Sequence, residues 1–360
     1  MIKLSRRQFT CFIGALGTAG VVRAAPFVPA RDPQVVAFAP GGTMVATGCS
    51  GLSDGSFPPR PHPDVRKCGV VAVWDIATKK RLFRWETFGD FTKLAFSPDG
   101  KLVAACRLFA SNDGIELNEV RLWDVTTGRA QKPLDRCHDF DFSPDSRQLA
   151  VLSRTKCVVY DLKDWAKEKQ VQSLGEALSV SFSADGQSLI GIVNDQGKYR
   201  LRQVRADSGE IQAQGLPLDQ PFYSLAVAPD GSLLATGHDS GNIVLWDAQT
   251  LDVRSRWQSN TRGIARPFFA PDAKLLAAGC QETGDVVIWN LDDRQEQARY
   301  TFEKGALRTY YNRPAGALVR PERDPTRFCF SPDAHSFLAG CYGGILRATS
   351  GGQELARFGE

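Results

Sequence analysis

Nine cysteines and four histidines are the residues of this 360-residue chain best suited to metal or nucleophilic chemistry. A metal centre needs such ligands gathered at short spacing, as in Cys-x-x-Cys pairs. Cys49, Cys106, Cys280 and Cys341 instead stand far apart, and so do His62, His138, His238 and His335. No metal site is expected from them. The carboxylates recur in a Pro-Asp step, at Asp99, Asp145, Asp230, Asp272 and Asp333. Turn chemistry accounts for aspartate at that place, so no general acid is assigned there. The chain has no Gly-x-Ser-x-Gly elbow, no phosphate loop and no dinucleotide fingerprint. No catalytic residue and no cofactor is assigned.

The elements that carry these residues are set by repetition. Phe38-Ala39-Pro40-Gly41-Gly42 returns as Phe96-Ser97-Pro98-Asp99-Gly100, then at Phe142, Phe182, Val227, Phe269 and Phe330. The steps between copies are 58, 46, 40, 45, 42 and 61 residues. A period near 40–45 residues with short strands is the pattern of a β-propeller blade. The fifth copy is the cleanest. Ser224–Val227 is apolar and alternating, and Pro229-Asp230-Gly231 turns the chain. Leu233–Thr236, Ile243–Asp247 and Val253–Trp257 are three further strands. Four antiparallel strands make one blade, and a blade must stack on neighbours to cover its faces. The expected fold is all-β, a seven-bladed β-propeller of four-stranded antiparallel blades. Glu354–Phe358 supplies an outer strand for the last blade, so the ring is expected to close without borrowing a strand from the start of the chain.

The third strands end in Trp74-Asp75, Trp123-Asp124 and Trp246-Asp247, with Trp289-Asn290 and Tyr160-Asp161 as variants. On these residues the chain resembles the WD-repeat family from about Val35 onward. Repeats four and seven depart, with Arg202-Gln203-Val204 and Arg347-Ala348 in that place. The family's Gly-His pair before the first strand is missing, since Gly237-His238 falls in a second strand. The family's Trp, Ser/Thr, His, Asp cluster is therefore not expected in full. Cys49, Cys106, Cys280 and Cys341 occupy the place the resemblance gives to the second-strand serine, with Ser153, Val193 and His238 in other repeats. These thiols are read as small buried hydrophobes. His238 is expected at the edge of the core near Asp239, and His335 in a solvated turn. Cys68, in a loop, is the one candidate for a disulfide, with no partner identifiable.

Residues 1–24 read as an export signal, 25–34 as a lead-in and 35–360 as the propeller. Ser5-Arg6-Arg7-Gln8-Phe9 precedes a mildly apolar run from Cys11 to Val22, then Val22-Arg23-Ala24. That layout resembles a bacterial twin-arginine signal. The run is too short for a stable membrane span, which needs about 20 residues. The alternative is a cytoplasmic protein with a basic tail. The chain has 44 basic and 40 acidic residues, and Lys3, Arg6, Arg7 and Arg23 carry all of the excess. The remainder is neutral, which argues against nucleic acid as a partner.

Insertions in a repeat array map to loops on a face. Three are long: 50–68, 107–119 and 303–326. Strand alternation puts all three on one face, over blades 7, 1 and 2. They carry Phe57, Arg60, Arg66, Arg107, Phe109, Arg308, Tyr310, Tyr311, Arg313 and Arg320. Arginine and tyrosine are enriched at binding hot spots. The expected function is a non-catalytic scaffold, exported to the periplasm or its equivalent and monomeric, that binds a protein or an acidic or extended peptide there. The same loops also suit plain solvated decoration. An enzyme resembling the propeller sugar lactonases is the remaining alternative, disfavoured because polar residues do not recur in the first strands as read from Val35–Ala37, Lys93–Ala95 and Ser224–Ala226.

Overall fold

A computed structural model of the chain describes residues 35–50, 69–87, 90–108, 118–131, 133–238, 240–258, 265–280, 285–301, 328–339, 345–349 and 354–358. They form consecutive antiparallel sheets, each ordered as its strands occur in the chain. Sheet 1 spans 35–87, sheet 2 90–135, sheet 3 137–171, sheet 4 177–214, sheet 5 222–258, sheet 6 265–301 and sheet 7 328–357. The outer strand of sheet 7 is Glu354–Arg357.

The expectation of seven full four-stranded blades needs correction. Six sheets are complete blades, with outer strands of four to seven residues, such as Arg81–Thr87 and Val253–Gln258. Sheet 2 is not: its outer strand is reduced to Leu134–Asp135, with an isolated bridge between Trp123 and Ala130 further along. Pro133 is the physical reason. It has no N–H to give to the ladder, so the strand cannot run on from Ala130. Arg136, at φ 61°, then turns the chain straight into the next inner strand, Cys137–Phe142.

The repeated phrase builds the turn from the inner to the second strand. Gly100 N–H donates to Ser97 carbonyl at 2.8 Å, and Ser97 hydroxyl donates to Asp99 Oδ1 at 2.7 Å. Proline presets the second position of such a turn. The fourth position is left-handed, with Gly42, Gly100, Gly186 and Gly231 at φ 68–72°. These turns meet around one face of the disc. A Cβ at Gly42 would lie 3.9 Å from Pro332, at Gly100 3.9 Å from Pro40 and at Gly186 3.2 Å from Pro144. Asp99 N–H donates to Ser146 hydroxyl at 2.8 Å across sheets 2 and 3.

Apolar side chains fill the space between sheets. Val35, Val71, Phe91, Phe96 and Trp123 form one cluster across sheets 1 and 2. Trp85 of the sheet 1 outer strand stacks on Trp123 at 5.3 Å and donates its indole N–H to Gly128 carbonyl. Where a third strand ends in aspartate or asparagine, in sheets 1, 2, 3, 5 and 6, that residue caps the next turn. Asp75 Oδ1 accepts Thr78 N–H at 2.7 Å, and Asp247 Oδ1 accepts Thr250 N–H at 2.8 Å. Such side-chain acceptors stabilise turns.

Candidate protein-interaction face

Because the Pro-Asp turns share one face, the opposite face receives every link from second to third strand and every link between sheets. The strand ends at Ser50 and Gly69, at Leu108 and Glu119, and at Thr301 and Phe328 belong to it. The long segments between those ends lie outside the described residues. So do Phe57, Arg60, Arg66, Phe109, Arg308, Tyr310, Tyr311, Arg313 and Arg320, as well as Cys68, Cys341 and the signal-like residues 1–24.

Arg107 is described, and its position differs from the loop expected for it. It lies in the second strand of sheet 2, Leu102–Leu108, opposite Glu119, and is 7% exposed. Its Nε donates to Glu119 Oε1 at 2.5 Å, and Arg121 donates to the same oxygen. Burial pushes the Glu119 carboxyl up, but the two guanidiniums outweigh it and hold the group below its ordinary range. The register pair Arg107–Glu119 thus closes the neck of the 108–118 segment. The other two segments have no such pair among the described residues.

The inner strands correct a second expectation, that polar residues do not recur there. Three residues before the phrase stand Lys93, Asp139, Ser179, Ser224 and Arg266. Lys93 Nζ meets Asp139 Oδ1 at 2.9 Å. Asp139 Oδ2 accepts Ser179 hydroxyl at 2.8 Å and Val180 N–H at 3.0 Å. Asp141 Oδ2 accepts Ser181 hydroxyl at 2.7 Å and Phe182 N–H at 2.8 Å. Ser224 hydroxyl donates to Ala265 carbonyl at 2.8 Å. These contacts join sheets 2 to 3, 3 to 4 and 5 to 6. Burial pushes Asp139 up, yet Lys93 and the donors of sheet 4 outweigh it and hold it below the usual carboxylate range. Burial wins at Asp141, which is raised. Two carboxylates therefore stand on one inner strand, but the oxygens named are occupied by donors of the protein itself. A carboxylate so engaged is a fixed acceptor that locks neighbouring sheets.

The family's tryptophan cluster forms in part. Trp246 Nε1 donates to Thr236 Oγ1 at 2.9 Å, and Thr236 Oγ1 lies 3.5 Å from His238 Nε2. Trp74 Nε1 donates to Thr47 at 3.0 Å. The hydroxyl partner is thus two residues before the position read as the serine site. His238 is 1% exposed and packs on Phe222 at 5.4 Å, inside the core and not at its edge. His335 is exposed. Cys49, Cys106, Cys137 and Cys157 are buried. Burial pushes Cys106 and Cys157 up to about 12. Among the described residues no group of three or more His, Cys, Asp or Glu is placed to hold a metal ion, and no helix is long and apolar enough to cross a membrane.

This geometry is that of a β-propeller, and residues 218–247 match the pattern described as WD domain, G-beta repeat. That segment holds the inner, second and third strands of sheet 5. The chain is 27% identical over 216 residues to the target of rapamycin complex subunit wat1 of Schizosaccharomyces pombe, covering 56% of this chain and 64% of that one. It is 23% identical over 228 residues to the target of rapamycin complex subunit LST8 of Saccharomyces cerevisiae, covering 48% and 74%. It is 31% identical over 133 residues to WD repeat-containing protein 55 of Homo sapiens, covering 35% and 33%. The chain therefore spans less than two thirds of the wat1 subunit and about a third of the human protein.

Proposed function

We propose that this protein is a non-catalytic scaffold that holds a protein partner on the face opposite the Pro-Asp turns. One observation carries the reading: the three longest interruptions of the repeat start and end on strand termini of that face, in sheets 1 and 2 and at the entry to sheet 7. The relatives support it, since two are subunits of a complex by name. The finer reading assigns the contact to Phe57, Arg60, Arg66, Phe109, Arg308, Tyr310, Tyr311, Arg313 and Arg320, with Arg107 at the neck of one segment. An acidic or extended peptide suits that composition.

The relatives are eukaryotic proteins, which fits a cytoplasmic scaffold better than an exported one. Ser5-Arg6-Arg7-Gln8-Phe9 is the specific feature that favours export. Fractionation of cells making the chain, beside Arg6→Lys with Arg7→Lys, separates the two. Loss of an exported fraction in the variant supports export. Equal cytoplasmic recovery of both supports the tail reading.

Affinity capture tests the face. The chain is compared with a variant in which Arg308, Tyr310, Tyr311 and Arg313 are alanine. A partner retained by the first and lost by the second is the expected result. Equal capture by both would move the contact elsewhere, and no partner for either would contradict the scaffold reading.

A further inference from the structure

The junction between sheets 7 and 1 differs from the other junctions of the ring. Each of those is crossed by the chain as it passes from one sheet to the next. Among the described residues sheet 1 is built from 35–87 and sheet 7 from 328–357, and no strand is shared between them.

Contacts at every radius hold it among the described residues. On the turn face, Gly42 lies against Pro332. At the inner strands, Cys329 and Phe38 pack against the same apolar cluster. At the rim, Phe358 is 1% exposed and packs on Trp74, with ring centres 6.5 Å apart, in a cluster with Val36, Val45, Leu338 and Ala356. The ladder of the outer strand ends at the pair Ile345–Arg357, so backbone pairing does not extend to Phe358. Other junctions have polar fasteners from side chain to backbone. Trp85 bonds Gly128 carbonyl between sheets 1 and 2, and Tyr300 hydroxyl bonds Thr349 carbonyl at 2.9 Å between sheets 6 and 7. At the rim of the closing junction, the contact of Phe358 with Trp74 is apolar.

We propose that the ring opens at the sheet 7–sheet 1 junction, and that Phe358 is the latch that keeps it shut. Opening there breaks no sheet. It separates Val35–Phe38 from Phe328–Phe330 and uncovers Trp74, and it needs less free energy than global unfolding.

Hydrogen exchange followed by mass spectrometry on the full chain tests this. Wild type is compared with Phe358→Ala, Phe358→Leu and Trp85→Phe, the last removing the Gly128 bond at a neighbouring junction. Phe358→Ala is expected to speed exchange at least tenfold in peptides covering 35–38 and 328–330. Peptides of sheets 3 to 5 should keep their wild-type rates. Phe358→Leu should show the same pattern with a smaller factor, and it carries the test if the alanine variant does not fold. Trp85→Phe should leave exchange between sheets 7 and 1 unchanged. Uniform acceleration across all sheets, or none at the junction, in the Phe358 variants would overturn the proposal.

Discussion

Lys93 and Asp139 lie 46 residues apart in the chain and meet at 2.9 Å across two sheets. They stand at the same place in successive repeats, three residues before the turn phrase. Stacking consecutive sheets converts that repeat spacing into a contact. The ammonium is 29% exposed as a side chain and the carboxylate 12%, so the pair is shielded but not dry.

Asp139→Ala removes the acceptor for Lys93, Ser179 and Val180 together. The expected cost is about 3 kcal/mol, the lower end for a buried pair, because Lys93 keeps contact with solvent. Urea unfolding checks it through the midpoint at constant slope.

The same group sets a pH dependence. The carboxyl of Asp139 is held below its ordinary value in the folded state. Its contribution is therefore complete above about pH 4, the unfolded value, and is lost as pH falls through the folded one. Asp141 is raised and acts with the opposite sign, being most favourable when protonated. Stability of Asp139→Asn is expected to fall less than that of wild type between pH 5 and 3. Parallel curves for the two would refute the assignment.

Thr236→Val leaves the buried indole N–H of Trp246 without its acceptor. Both residues are 0% exposed, so the cost is expected at about 1–3 kcal/mol. Thr236→Ser keeps the hydroxyl and should recover most of the loss in thermal unfolding.

Gly237 marks where two sheets approach closely. A Cβ there would lie 1.8 Å from Ala265 carbonyl, which also accepts the Ser224 hydroxyl. Gly237→Ala must push sheets 5 and 6 apart and is expected to cost several kcal/mol or prevent folding, as overpacking can cost about 1–3 kcal/mol even where neighbours are flexible. Soluble yield and thermal midpoint are the readouts.

Ala273 occupies the left-handed turn position at φ 55° where other repeats have glycine. Ala273→Gly is expected to stabilise by up to about 1 kcal/mol, since a residue with a Cβ is strained there. Ser146, at φ 58°, is the contrast. Ser146→Gly relieves the same strain but loses the bond from Asp99 N–H, so its gain should be smaller.

The turns were legible because each one is a local matter of four residues: Ser97-Pro98-Asp99-Gly100 encodes its own geometry. The second and third strands followed from their short apolar runs. Sheet 2 was not legible to its end, because a single Pro133 stops an outer strand that the repeat period otherwise implies. The polar line from Lys93 to Ser224 was overlooked although its signal was present. Aligning the copies of the phrase and reading backwards would have found it, whereas reading each first strand alone showed only scattered polar residues. Thr236 was missed as the partner of Trp246 because the position was taken two residues too late, at His238. At the candidate face, Arg107 was assigned to a loop because the buried pair with Glu119 extends the strands of sheet 2 beyond the apolar run.

The most direct test of the scaffold reading is a hydrogen-exchange footprint of the captured complex. Slowed exchange at the strand ends around Ser50 and Gly69, Leu108 and Glu119, and Thr301 and Phe328, with the Pro-Asp turns unchanged, is the expected result. Slowing confined to the Pro-Asp turn face would contradict it.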